Sequence, residues 1–215
     1  MSCERGSWFA EATLPTNFGT YRCLVYRFED GFEHVALVMG NVHNRSSVLC
    51  RIQSECLTGE VFGSLRCDCK HQLDLALAKI GDEGFGILLY LRQEGRGIGL
   101  GNKIRAYRLQ ENGVDTVDAN RILGFPDDGR DFYCAVRILR DLKVASVKLL
   151  TNNPHKVDSL VNAGIHVVER LSHVAEIPKT AKNYMMVKGK RMGHFLEWSK
   201  LPQETFDIIQ LDGRF

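Results

Sequence analysis

The sequence predicts an α/β protein of the α+β type, a mixed sheet in which an antiparallel N-terminal β section is followed by alternating helices and strands. Three observations carry this expectation. Residues 21–28, 34–40 and 47–53 alternate with the period of two that strands require, and Glu29-Asp30-Gly31 and residues 41–46 separate them as turns. After Gln72 the period becomes 3.6, with Leu73, Ala76, Leu77 and Ile80 forming one stripe of an amphipathic helix. Beyond it the apolar runs 85–91 and 146–151 each lead into a helical pattern, as in α/β units.

Taken in order, the first helix is expected to end at Gly81 and Gly84, and its stripe is core. FGILLYL, residues 85–91, reads as a strand buried on both faces. RQEGRGIGLGNKIRAYRLQENG follows, with glycines at 95, 97, 99 and 101 before a helix begins. It fits neither the Rossmann G-x-G-x-x-G nor the Walker G-x-x-x-x-G-K-S/T pattern, which leaves a loop carrying Glu94 and Arg96 that can approach a phosphate, or a plain glycine-rich turn. Residues 120–131, NRILGFPDDGRD, read as a loop in which Asp128 and Arg130 stand two apart, before a helix over 132–142. Strand 146–151 runs into Asn153 as helix cap and Pro154 at the first helical position, with Lys156 in the first turn. Because a helix N-terminus already favours anions, a cation there suits an anionic ligand, the alternative being a solvated lysine. A helix over 157–163, Gly164 and a strand over 165–170 complete the unit. Residues 179–198 are lysine-rich and read as helical, and 199–215 as a tail beyond a single catalytic domain spanning 1–198.

The chemistry concentrates in residues 54–72, SECLTGEVFGSLRCDCKHQ, which bring Cys56, Cys67 and Cys69 together. A structural zinc closes its tetrahedron with four protein ligands, whereas a catalytic zinc keeps three and leaves one position open. Three thiolates with no obvious fourth favour catalysis; a structural zinc completed by a histidine such as His71 is the alternative. An odd total of seven cysteines argues against a disulfide framework, and Cys3, Cys23, Cys50 and Cys134 are too scattered to complete an iron–sulfur site. A zinc-bound water has its pKa lowered to roughly 7, and Glu55, beside the first cysteine, is placed to carry its proton.

Composition narrows the classes. A net charge of +2 provides no global field for nucleic acid, no run approaches a membrane span, and the charged N-terminus does not resemble a signal peptide. A cytoplasmic protein is expected, with local basic clusters that serve a small polyanion.

In one order along the chain, SECLTG with LRCDC, RQEGRGIGL with NKIRAY, LLTNNP with its lysine, and finally RMGH resemble the motif series of GTP cyclohydrolase II, the first enzyme of riboflavin synthesis. The resemblance implies a homodimer that opens the imidazole ring of GTP, releasing formate and pyrophosphate, with zinc on Cys56, Cys67 and Cys69 and magnesium on the triphosphate. It places nucleotide binding on Arg51, Ile52, Gln53, Ser54, Glu55, Gln72, Glu94, Gly95, Arg96, Thr116, Thr151 and Lys156. Asp128 becomes the proton acceptor, Arg130 the residue that engages the α-phosphate, and Tyr107 a neighbour of the ring carbon under attack. Two positions depart from the pattern: Gln53 stands where the family usually has histidine, and Lys70 where glycine is typical. Gln53 cannot carry a proton near neutral pH, which raises a second expectation, a specialised paralogue that takes another purine nucleotide or stops at a formylated intermediate. A third is a non-catalytic, zinc-stabilised nucleotide-binding protein. The synthase domain often fused to this enzyme is not expected in the chain, which reads as monofunctional.

Overall fold

A computed structural model describes residues 6–29 and 31–175; the helix expected within 179–198 and the tail 199–215 lie outside the described residues. Among the described residues seven strands form one sheet: β1 (Gly6–Thr16), β2 (Gly19–Phe28), β3 (Glu33–Met39), β4 (Val48–Ser54), β5 (Gly86–Leu91), β6 (Val147–Leu150) and β7 (Val167–Leu171). Their order is β1-β2-β3-β5-β4-β6-β7. The first four in that order pair antiparallel, while β5-β4, β4-β6 and β6-β7 pair parallel. This is the mixed sheet with an antiparallel N-terminal section that the sequence predicts.

The helices are α1 (Leu57–Glu60), α2 (Cys69–Glu83), α3 (Gly99–Glu111), α4 (Thr116–Ile122), α5 (Tyr133–Asp141) and α6 (Pro154–Asn162), with a short 3₁₀ turn at Glu94–Gly97. The period of two divides β4, β5 and β6 between two cores. Cys50, Ile52, Ile87, Leu89 and Leu149 pack with Ile138 and Leu139 of α5 and Leu160 of α6 on one face. Leu49, Leu88 and Leu150 pack with Ala76, Leu77 and Ile80 of α2 on the other. Covered on both sides, β4 and β5 are buried along nearly their whole length; β5 therefore reads as an unbroken apolar run, while β4 alternates because it also buries the polar Arg51 and Gln53.

Two differences from the sequence reading have clear causes. Strand β1 carries no inside–outside pattern, since every residue from Trp8 to Pro15 is exposed and, among the described residues, it pairs with β2 alone. Gly81 does not end α2, which runs on to a left-handed cap at Gly84 (φ 74°). A Cβ on Gly81 would collide with the Phe18 carbonyl oxygen, so glycine here lets the β1–β2 turn pack on the helix.

Candidate active site

Parallel pairing brings the C-terminal ends of β4, β5, β6 and β7 to one edge, the place where open α/β sheets bind ligands. From there β4 delivers residues 53–56, β5 delivers Gln93 to Arg96, and β6 delivers Thr151 to Asn153. One pocket is lined by Cys56, Cys67 and Cys69 together with Arg51, Gln53, Ser54, Glu55, Gln72, Glu94, Gly95, Arg96, Tyr107, Arg130, Thr151 and Lys156. Ile52 points the other way, its side chain fully buried in the α5-side core. Asp128 reaches the pocket through Arg130, and Thr116 begins α4 with its side chain outside the described residues.

The three cysteine sulfurs lie within 4.8 Å of one another, and those of Cys56 and Cys67 are 3.6 Å apart. Two sulfurs on a tetrahedral ion with ~2.3 Å bonds sit roughly 3.8 Å apart, so the cluster fits a metal without rearrangement. No fourth His, Cys, Asp or Glu joins it among the described residues. Hydrogen bonding from Cys67 and Cys69, with the nearby charge of Lys103, holds Cys56 well below the usual thiol range, while contact with the Cys56 thiolate pushes Cys67 up to about 11. Gly59 makes this convergence possible, because a Cβ there would stand 2.7 Å from the Cys67 sulfur and 3.2 Å from that of Cys56. Gly59→Ala is therefore expected to lower metal affinity by roughly tenfold or more. Metal content after dialysis, measured by atomic emission, checks this; a variant retaining a full equivalent would show that the sulfurs have room to move.

Behind the cluster lies a buried polar chain that the sequence reading did not foresee. Arg51, 4% exposed, donates to the Gln53 side-chain oxygen (3.0 and 2.8 Å), to that of Gln72 (2.6 Å) and to the Leu150 carbonyl (3.0 Å). Burial lowers its pKa to about 10, which still leaves it charged at neutral pH. Gln53 in turn donates to Glu60 (2.7 Å), whose carboxylate also accepts from the Tyr90 hydroxyl (2.5 Å) and from the Cys56 amide (3.2 Å). Burial outweighs these bonds and raises the Glu60 pKa. Beneath Gln72, His173 donates through Nε2 to its carbonyl oxygen (2.8 Å), and burial, then the charge of Arg51, push the imidazole down to about 3.

Gln53 thus accepts from one neighbour and donates to the next, a pair of roles that a neutral histidine also fills. Gln53→His is expected to stay within about 1 kcal/mol of the parent, whereas Gln53→Leu, leaving Arg51 and Glu60 short of partners, loses about 1–3 kcal/mol. Urea denaturation separates the two, and equal losses would contradict this role. Lys70 is as readily accommodated: its φ is not positive, it sits in the first turn of α2, and it pairs with Asp74 at 2.5 Å in solvent.

The glycine-rich loop and the 128–130 loop dock on one another. Gly95, Arg96 and Gly97 all have positive φ, the Gly129 amide donates to the Arg96 carbonyl (3.1 Å), and a Cβ on Gly97 would come 2.8 Å from the Gly129 oxygen. Asp128 grips Arg130 in a two-pronged ion pair, with Nε to Oδ1 at 2.8 Å. Burial works to raise the Asp128 pKa, but the hydrogen bonds and charge of Arg130 prevail and lower it. Glu94 is committed to the protein: its two oxygens accept from the amides of Leu57 (2.6 Å) and Gly95 (2.7 Å) and from Lys103 (2.8 Å). Glu55 pairs with Arg92 (2.9 Å) at the rim. Asn153 caps α6 as expected, accepting from the His155 amide (3.0 Å), while Lys156 turns back to donate to the Ile52 carbonyl (2.7 Å).

Residues missed in the sequence include Glu60, Tyr90, Lys103 and Asn120. Only two carried a local signal: Glu60 lies four residues after Cys56, and Lys103 lies one helical turn before Tyr107.

A sequence model of GTP cyclohydrolase II matches residues 8–172. The chain is 54% identical over 190 residues to the riboflavin biosynthesis protein RibBA of Bacillus velezensis, covering 87% of this chain and 48% of that protein. It is 49% identical over 205 residues to RibBA of Chlamydia trachomatis, covering 94% of this chain and 48% of that one. It therefore spans about half the length of these curated relatives. A crystal structure of RibBX, a two-domain 3,4-dihydroxy-2-butanone 4-phosphate synthase from A. baumannii, aligns at 20% identity and a TM-score of 0.45 over 80% of this chain and 41% of that one, a likeness too loose to build on. With a family match over most of its length and relatives at about half identity, the chain belongs to the GTP cyclohydrolase II family.

Proposed function

We propose that the protein is a zinc-dependent GTP cyclohydrolase II that opens the guanine imidazole ring, releases formate and pyrophosphate, and leaves the diamino-ribosylaminopyrimidinone phosphate from which riboflavin synthesis proceeds. The observation that carries this reading is a cluster of three cysteines facing the same pocket as Arg130 and Lys156, so that a metal and a polyanion meet in one place. Cys56, Cys67 and Cys69 would hold the zinc, which supplies a Lewis acid that activates water at neutral pH.

The chain's own residues do the rest. Arg130, fixed by Asp128, presents its guanidinium to the α-phosphate, with Asp128 as proton acceptor. The α6 N-terminus adds backbone donors beside Thr151, where a phosphate is favoured. The Ser54 hydroxyl oxygen and the Gln93 side-chain oxygen are buried, line the pocket and have no hydrogen-bond partner among the described residues, so both suit a polar ligand. Tyr107, from α3, stands beside the cluster in the same pocket, where the ring under attack must lie. Glu94 serves by holding the loop that bears Arg96. Magnesium on the triphosphate, a homodimeric assembly and a cytoplasmic setting complete the reading; no helix among the described residues is long and apolar enough to cross a membrane.

Gln53 gives no support to a specialised substrate, because it is occupied in holding Arg51 and Glu60. Mass spectrometry of products from GTP, ATP and GDP, each with magnesium, tests the assignment. GTP alone is expected to yield the ring-opened monophosphate; a formylated product, or turnover of ATP at a similar rate, would overturn it.

A further inference from the structure

Lys103 has no assigned role, yet it is 9% exposed and its ammonium stands 3.2 Å from the Cys56 sulfur and 2.8 Å from Glu94. Burying a lysine is unfavourable unless the charge is matched, and here two partners match it. The second partner is itself fixed. One oxygen of Glu94 receives Lys103 and the Gly95 amide, and the other receives the Leu57 amide, the residue directly after Cys56. Lys103 is therefore aimed at the sulfur by a carboxylate anchored on both sides of the pocket, and its stem lies against Gly95, 3.1 Å from where a Cβ would be. Helix α3 sets its height: Lys103 and Tyr107 share a face one turn apart, the ammonium 5.8 Å from the ring centroid.

Charge arithmetic gives this arrangement a purpose. Three thiolates on a divalent ion leave the unit at a net charge of about −1, with Cys56 and Cys67 themselves buried. The Lys103 ammonium, held by Glu94, places a positive charge 3.2 Å from the Cys56 sulfur, next to where that negative charge is carried. It also withdraws density from Cys56, so that this thiolate binds the ion without blunting its Lewis acidity as fully as an unpaired one would. We propose that Lys103 is a positioning residue of the metal centre, held by Glu94 so that its ammonium donates to the Cys56 sulfur and offsets part of the charge of the loaded three-cysteine site. This rests on the reading of the cluster as a zinc site.

The test compares the full chain with Lys103→Met, Lys103→Gln and Lys103→Arg. Zinc affinity is measured by competition with a chromophoric chelator, and the charge-transfer bands are recorded after loading with Co2+. Outer-shell partners of metal ligands typically change affinity by roughly 10–100-fold, and a loss in that range is expected for Met and Gln, with Arg close to the parent. The sulfur-to-cobalt band should move to longer wavelength in Met and Gln, since a thiolate without its cation is the stronger donor; a merely structural lysine would leave it in place. The Gln variant keeps a hydrogen-bond donor for Glu94, so it reports even if the Met variant does not fold. Parent protein that binds no zinc would defeat the metal-site reading itself. Tight parent binding, with Gln and Met within twofold and their cobalt bands unmoved, would overturn the role of Lys103, as would an Arg variant as weak as Met.

Discussion

Cys67→Ser is expected to fold, to hold only trace zinc and to leave GTP unconsumed. The sulfur lost is 3.6 Å from that of Cys56, and the remaining pair offers two ligands where an open catalytic zinc needs three. Without the ion, water keeps its bulk pKa of ~15.7 in place of one near 7, a difference large enough to put turnover below detection. Folding is expected to survive because neither hydrophobic core depends on the cluster: one is built from strands with α5 and α6, the other from strands with α2. Circular dichroism and urea unfolding should therefore remain native-like and cooperative. An unfolded variant would instead indicate a structural metal, since domains organised around such an ion unfold without it.

Arg51→Met is expected to be the most destabilising single change in the site. Four N–H donations vanish at once, leaving the oxygens of Gln53, Gln72 and Leu150 without their donor in a place water does not reach. Asp68, which helps to hold Arg51 charged, becomes a buried anion short of its counter-charge. Breaking a buried ionic arrangement from one side typically loses about 3–5 kcal/mol, a large share of a domain's ~5–15 kcal/mol. Metal affinity should fall too, because Gln53 then loses the group that orients it toward Glu60 and the Cys56 amide. Urea denaturation measures the loss, and a change under about 1 kcal/mol would mean that the Arg51 chain is an ornament of the pocket.

What was legible in the sequence follows from range. The cysteines announce themselves because their chemistry is local, three sulfurs within 14 residues, β5 because burial on both faces leaves a continuous apolar run, and β4 by its alternation. Asn153 and Pro154 mark the start of α6 by cap chemistry that needs no partner. The same logic was available for α4, where Asp115 accepts from the Val117 amide (2.6 Å) and the Asp118 amide (3.1 Å), but the turn-forming residues after it drew residues 120–122 into the expected loop. Tyr90 carried no local signal, and the spacing of Lys103 from Tyr107 says nothing of its partners. Lys103 meets Cys56 across 47 positions of chain and Tyr90 meets Glu60 across 30, pairings created only when α3 and β5 come to the edge of β4. Gln53 is the instructive case: the family resemblance raises the expectation of a titrating group there, and only the geometry shows that the position needs an acceptor and a donor more than a proton.

The most direct test of the account follows the C8 carbon of GTP. Incubating the zinc-loaded protein with GTP labelled at C8, with magnesium present, should release the label as formate in step with one pyrophosphate for each nucleotide consumed. Label retained in a nucleotide product, or pyrophosphate formed without formate, would contradict a cyclohydrolase of this type and leave the cluster and its cationic pocket in search of a different reaction.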